Sequence, residues 1–160
     1  CSAAVLGQAV TRNAFAKALK KQVKAPPDLV GQVERLLLAR CIQALALVNK
    51  AGLMVAGFAK VDAELDKGKV AVLVHATDAA EDGCGKLDRK WLAIAAATGC
   101  KAPIVRELTR AEMDLATGRE NVVHAGLNSG GVTARFSVEI ERLGRYRSHN
   151  SSPARGFAAE

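Results

Sequence analysis

Val70-Ala71-Val72-Leu73-Val74-His75-Ala76-Thr77-Asp78 is the stretch that decides the fold. An uninterrupted valine-rich run followed by polar residues reads as a strand buried on both faces, which belongs to a sheet with helices packed on each side. Upstream, Phe58 to Lys67 carries a helical pattern closed by Gly68, and downstream Asp78 is placed to cap a helix over 79–98. Gly83 and Gly85 inside that helix weaken it, which predicts a kink or early break there. Farther out, Asp28 opens a helix whose apolar positions Val30, Val33, Leu37, Cys41, Ala44 and Val48 recur at helical spacing up to Gly52, and Leu53-Met54-Val55 follows as a short strand. Pro103 to Glu107 gives another strand. Thr109 caps a helix over 110–117, Asn121 to Ala125 reads as a strand, and Ser129-Gly130-Gly131 leads into a last helix over 132–146. Helices alternating with about four short strands imply an α/β fold, a three-layer α/β/α sandwich.

Before this block, Thr11 to Lys21 forms an amphipathic helix with Lys17, Lys20 and Lys21 on its polar side, and Lys24-Ala25-Pro26-Pro27 stops it. The expected organisation is a short N-terminal piece with linker (1–27), a globular domain (28–147) and a flexible tail (148–160). The opening residues lack a starting Met and a basic segment, so the chain reads as cut from a longer one.

Of the 160 residues, 49% are hydrophobic and 24% charged, enough for one domain with a core, and no apolar stretch reaches membrane-spanning length. The net charge of +7 is uneven: residues 1 to 52 carry eight basic side chains against two acidic, while the remainder is close to balanced. A localised cationic region suits a polyanion. Aromatic residues make up 4% and form no strip on which bases stack, which disfavours sheet-face RNA binders. Cys1, Cys41, Cys84 and Cys100 form no CxxC pair, and the three histidines complete no spaced zinc set with them, so reduced, idle thiols in the cytoplasm are expected and no metal or cofactor is assigned.

The chain has no glycine-rich phosphate loop ending in lysine and no serine elbow. His75 and Asp78 lie at a strand's carboxyl end, where α/β sheets place ligands, but a strand-end histidine beside a capping aspartate is the plainer reading. Asp62, Glu64 and Asp66 share a helix with Lys60 and Lys67 and read as a solvated, ion-paired face. One constellation remains: Lys50, then Gly57-Phe58-Ala59-Lys60 opening a helix, and at a distance Gly118-Arg119-Glu120-Asn121. A helix start exposes N–H groups and partial positive charge to phosphate oxygens, and Lys60 adds a mobile cation.

The run from Leu45 through Val48-Asn49-Lys50-Ala51-Gly52 to Gly57-Phe58, with Asp66-Lys67-Gly68-Lys69 and the strand ending at Asp78, resembles the bacterial branch of the ribosomal protein L-seven-Ae / L-thirty-e superfamily. Gly118-Arg119-Glu120-Asn121-Val122-Val123-His124-Ala125 is similar to a later segment in members fused behind a YlxR-type domain, whose last helix looks like Ala14 to Lys21. The resemblance implies an α/β/α domain that binds structured RNA, ribosomal or otherwise folded, without catalysis. Kink-turn binders of that superfamily open the RNA-facing helix with Gly-x-Asn-Glu-x-x-Lys, whereas this chain has Gly57-Phe58-Ala59-Lys60-Val61-Asp62-Ala63. Ala59 and Lys60 replace the two base-edge readers. What the resemblance leaves is phosphate and shape recognition through Lys50, Lys60 and the Gly57 backbone, with Arg119, Glu120 and Asn121 in an adjacent loop and Phe58 or Val122 against a splayed base. An RNA-modifying enzyme using His75 and Asp78, and an assembly factor that no longer touches RNA, stand as alternatives.

Overall fold

The β-branched run forms the strand it predicts, and that strand organises the domain around it. The computed structural model describes residues 2–148, so the expected tail lies outside the described residues from 149 onward. In chain order the elements are α1 (Ala3–Thr11), α2 (Ala14–Leu19), α3 (Leu29–Lys50), β1 (Met54–Ala56), α4 (Phe58–Asp66), β2 (Val70–His75), α5 (Glu81–Thr98), β3 (Ile104–Val105), α6 (Arg110–Thr117), β4 (His124–Asn128) and α7 (Gly131–Arg147). The four strands form one sheet in the order β1-β4-β2-β3. β4 runs antiparallel to both neighbours, and β3 is parallel to β2, as the α5 crossover requires. The α/β class with a four-stranded mixed sheet is therefore the fold of this chain.

An irregularity between Val70 and Val72 in the β2–β4 register turns Val70 to the same face as Leu73. There both join Val61 and Leu65 of α4 and Leu87 and Trp91 of α5 in one apolar cluster. Val72 and Val74, on the opposite face by alternation, are equally buried, while α3, α6 and α7 contribute Cys41, Leu45, Val48, Met113 and Phe136 to the core.

The described residues divide into two compact units, Ala39–Ile140 and the pair 2–38 with 141–148. The first holds the whole sheet. Within the second, the Tyr146 hydroxyl donates to Val30 O at 2.9 Å and Arg147 Nε donates to Glu34 Oε1 at 2.9 Å. Among the described residues no helix is long and apolar enough to cross a membrane.

Several local expectations need correction. The helix expected over 11–21 is two helices, because Asn13 takes a left-handed conformation (φ 51°) between them. α5 starts at Glu81 and not at Ala79, with Asp78 turned away: its Oδ1 accepts from Arg110 N at 2.8 Å and so serves the start of α6. The glycines do not break α5, which runs through both. The last strand lies at His124–Asn128, three residues beyond the expected start.

Candidate nucleic-acid interface

Gly57 joins β1 to α4 at φ 97°, a conformation that L side chains rarely adopt, and a Cβ there would meet nothing within 4 Å. It is the backbone and not crowding that selects glycine. The Gly57 N–H donates to His124 O at 2.9 Å, which ties the turn to the start of β4. No side chain caps α4, so the N–H groups of its first turn, Phe58, Ala59 and Lys60, have no intrahelical or capping partner. Phe58 is 40% exposed with its ring edge-on to His124, and Ala59 and Lys60 are exposed.

A second helix start meets the same corner. α5 begins behind Ala80, again without a side-chain cap, and a Cβ on Gly83 would lie 4.0 Å from Phe58 Cδ2. The first turn of α5 carries the exposed carboxylates Glu81 and Asp82, the latter paired with Lys86 at 2.7 Å. Cationic character at this corner therefore comes from α4 and Lys60 and not from α5.

The loop after α6 is held from within. Gly118 ends the helix in a left-handed conformation, and Asp114 accepts from the N–H groups of Asn121 at 3.1 Å and Val122 at 2.8 Å. This anchoring leaves the side chains of Arg119, Glu120 and Asn121 exposed. Val122 is different: at 3% exposure its side chain belongs to the core and has no face for a base, because the backbone bonds to Asp114 turn it inward. The loop leads directly into His124, so it and the Gly57 turn flank one end of the β1–β4 pair. Lys50 is exposed at the end of α3, on the side where β1 begins, while its neighbour Asn49 donates to Thr117 O at 3.2 Å. Lys17, Lys20 and Lys21 are exposed on and just after α2, in the other unit.

His75 and Asp78 do not form an acid–base pair. His75 is fully buried, its Nε2 2.9 Å from Asp88 Oδ1 and its Nδ1 2.8 Å from His124 Nδ1. Asp88 in turn is bonded by Arg106. Burial pushes the His75 imidazole below its usual value against the pull of Asp88, and His124 is lowered by burial and by His75. Sequence spacing gave no warning of this cluster, whose members come from β2 (His75), α5 (Asp88), β4 (His124) and the residue after β3 (Arg106). The acidic face of α4 also departs from expectation. Glu64 is 8% exposed, bonded by Lys67 at 3.1 Å and Asn128 at 3.2 Å, and only Asp62 and Asp66 form a solvated pair set, both with Lys90.

No family model matches the chain, and no curated protein matches it. A solved structure from Bacillus halodurans C, described as a protein with unknown function, is 20% identical with a TM-score of 0.53, over 64% of this chain and 98% of that one. That likeness shows a shared fold. The Giardia lamblia 15.5kD RNA binding protein is 12% identical with a TM-score of 0.47, over 67% of this chain and 89% of that one.

Proposed function

We propose that this chain is a non-enzymatic binding domain for structured RNA, ribosomal or otherwise folded, working in translation in the cytoplasm. The observation that carries the reading is the Gly57 turn: an uncapped helix start on a positive-φ glycine, with Lys60 in its first turn and exposed Phe58 beside it. Free N–H groups and a lysine suit phosphate oxygens, and an exposed ring suits an unstacked base. The Arg119 to Asn121 loop at the same end of the β1–β4 pair supplies a second edge. The L-seven-Ae resemblance of the Lys50 to Phe58 segment supports the same reading, with Ala59 and Lys60 shifting it from base-edge readout to phosphate and shape. By the same resemblance residues 1–27 correspond to the last helix of a YlxR-type domain plus a linker, and Lys17, Lys20 and Lys21 add non-specific attraction.

Electrophoretic-shift titrations of folded RNAs at two salt concentrations test this. Lys60→Glu should weaken binding to every RNA alike and lower the salt slope by roughly one unit for each phosphate that the lysine neutralises in the parent chain. Unchanged affinity in that variant overturns the site, and no salt-dependent binding by the parent chain favours an assembly factor that binds protein.

A further inference from the structure

Three soft or borderline donors meet inside the domain without any help from sequence spacing. One ring nitrogen each of His75 and His124 and the Sγ of Cys84 lie within 4.8 Å of one another, and all three residues are buried. They come from the end of β2, the start of β4 and the first turns of α5. From this convergence we infer that His75, Cys84 and His124 form a binding site for one thiophilic d10 cation, Zn2+ or Cu+.

Orientation supports the assignment. The Asp88 carboxylate only accepts, so His75 must donate through Nε2–H, which leaves its Nδ1 lone pair turned towards His124. A carboxylate on the far nitrogen is the arrangement that fixes the tautomer and ring plane of a metal-bound histidine, and Arg106 holds that carboxylate in place. His124 fits closely against α5. A Cβ on Gly83 would stand 3.0 Å from His124 Nε2, so the glycine is what lets the ring sit where its Nδ1 faces His75.

Metal–nitrogen bonds of about 2.0 Å and metal–sulfur bonds of about 2.3 Å in a tetrahedral arrangement put donor atoms about 3.3 to 3.6 Å apart. The two nitrogens, at 2.8 Å, need to open slightly, and the sulfur to close from within 4.8 Å. On binding, the Cys84 thiol loses its proton to solvent and the His124 proton moves from Nδ1 to Nε2, so each cation bound releases one proton. Cation binding at a thiolate supplies the driving force for that proton loss.

The test uses the full chain, reduced and stripped with chelator, titrated with Co2+ as the optical probe for Zn2+ and, without oxygen, with Cu+ against a competing chelator. The expected result is one equivalent bound, with a thiolate-to-cobalt charge-transfer band in the Co2+ arm or competitive uptake in the Cu+ arm. Binding should vanish in Cys84→Ser and persist in Cys1→Ser/Cys100→Ser. Asp88→Asn should weaken it by about 10- to 100-fold. X-ray absorption on the loaded parent chain does not depend on any variant folding, and it should count one sulfur and two imidazoles. Uptake of neither cation, survival of binding in Cys84→Ser, or a shell with no sulfur or with several would overturn the site and leave a hydrogen-bonded chain of Arg106, Asp88, His75 and His124.

Discussion

Glu64 shows how one carboxylate is converted from surface to structure. Its Oε2 accepts from Lys67 and its Oε1 from Asn128, and these bonds, Lys67 first, hold its carboxyl below the ordinary value of 4.5. A depressed acid contributes stability that is present above the unfolded pKa and lost as pH falls through the folded one. Chemical denaturation between pH 7 and pH 2 should therefore show the stability of the parent chain declining below about pH 4.5, part of that slope coming from Glu64. In Glu64→Gln the decline should be shallower, since no proton is taken up at that position on unfolding. An identical slope in the two proteins means the carboxyl is already indifferent to folding. Sequence pattern placed Glu64 on a wet face because it sits among charges. What the pattern lacked was Asn128, which reaches the same spot from β4.

Among the elements, α5 carries two interior glycines whose costs differ. Each loses on the order of 1 kcal/mol of intrinsic helix propensity against alanine. A Cβ at Gly85 would meet only Arg89 Nη1 at 3.5 Å, the far end of a flexible side chain. At Gly83 it would stand 3.0 Å from the ring of buried His124. Gly85→Ala should raise the urea midpoint by a gain of up to about 1 kcal/mol, while Gly83→Ala should gain less or lose, because His124 must move. Equal gains at both positions would show that His124 is free to yield. The same contrast explains what sequence reading sees in an element. Helix starts and stops were legible where local chemistry decides them, as in the Thr109 capping box with Glu112 and the Gly118 terminus of α6. β4 was misplaced because propensity favours Val122 and Val123, whereas pairing with β1 and β2 selects His124–Asn128. Gly126, unattractive in a strand by propensity, suits the close packing there. A Cβ on it would stand 3.2 Å from Val70 Cγ2 and 3.3 Å from Val55 Cγ2, so a side chain there would make the valines of the two flanking strands give by a few tenths of an ångström. The Gly57 turn was visible in the sequence because its signal is local. The histidine–cysteine cluster was not, since its members are brought together only when β2 and β4 pair and α5 packs on them.

Across the whole molecule, charge is the property least dependent on the fold and the one that acts farthest from it. Residues 1 to 52 hold eight basic against two acidic side chains, and Lys17, Lys20 and Lys21 among them are exposed. Such groups raise affinity for any polyanion through counterion release and carry no information about which one is bound. The Gly57 corner, by contrast, mixes Lys60 with Glu81 and Asp82 nearby, so it has modest net charge and is suited to positioning more than to attraction. The two contributions separate by experiment. Replacing Lys17, Lys20 and Lys21 together by glutamine leaves side chains of similar length at exposed positions, so the fold should be unaffected by circular dichroism. Under the RNA-binding reading, the slope of log affinity against log salt should become shallower by up to about 2 units if all three reach phosphates at the single-strand value of roughly 0.7 each. The ranking of different folded RNAs should not change, because the proposed function assigns that ranking to shape recognition and to Phe58 at the Gly57 corner. A changed ranking at constant slope would assign recognition to the N-terminal helix, and the corner would lose its role in selecting the RNA.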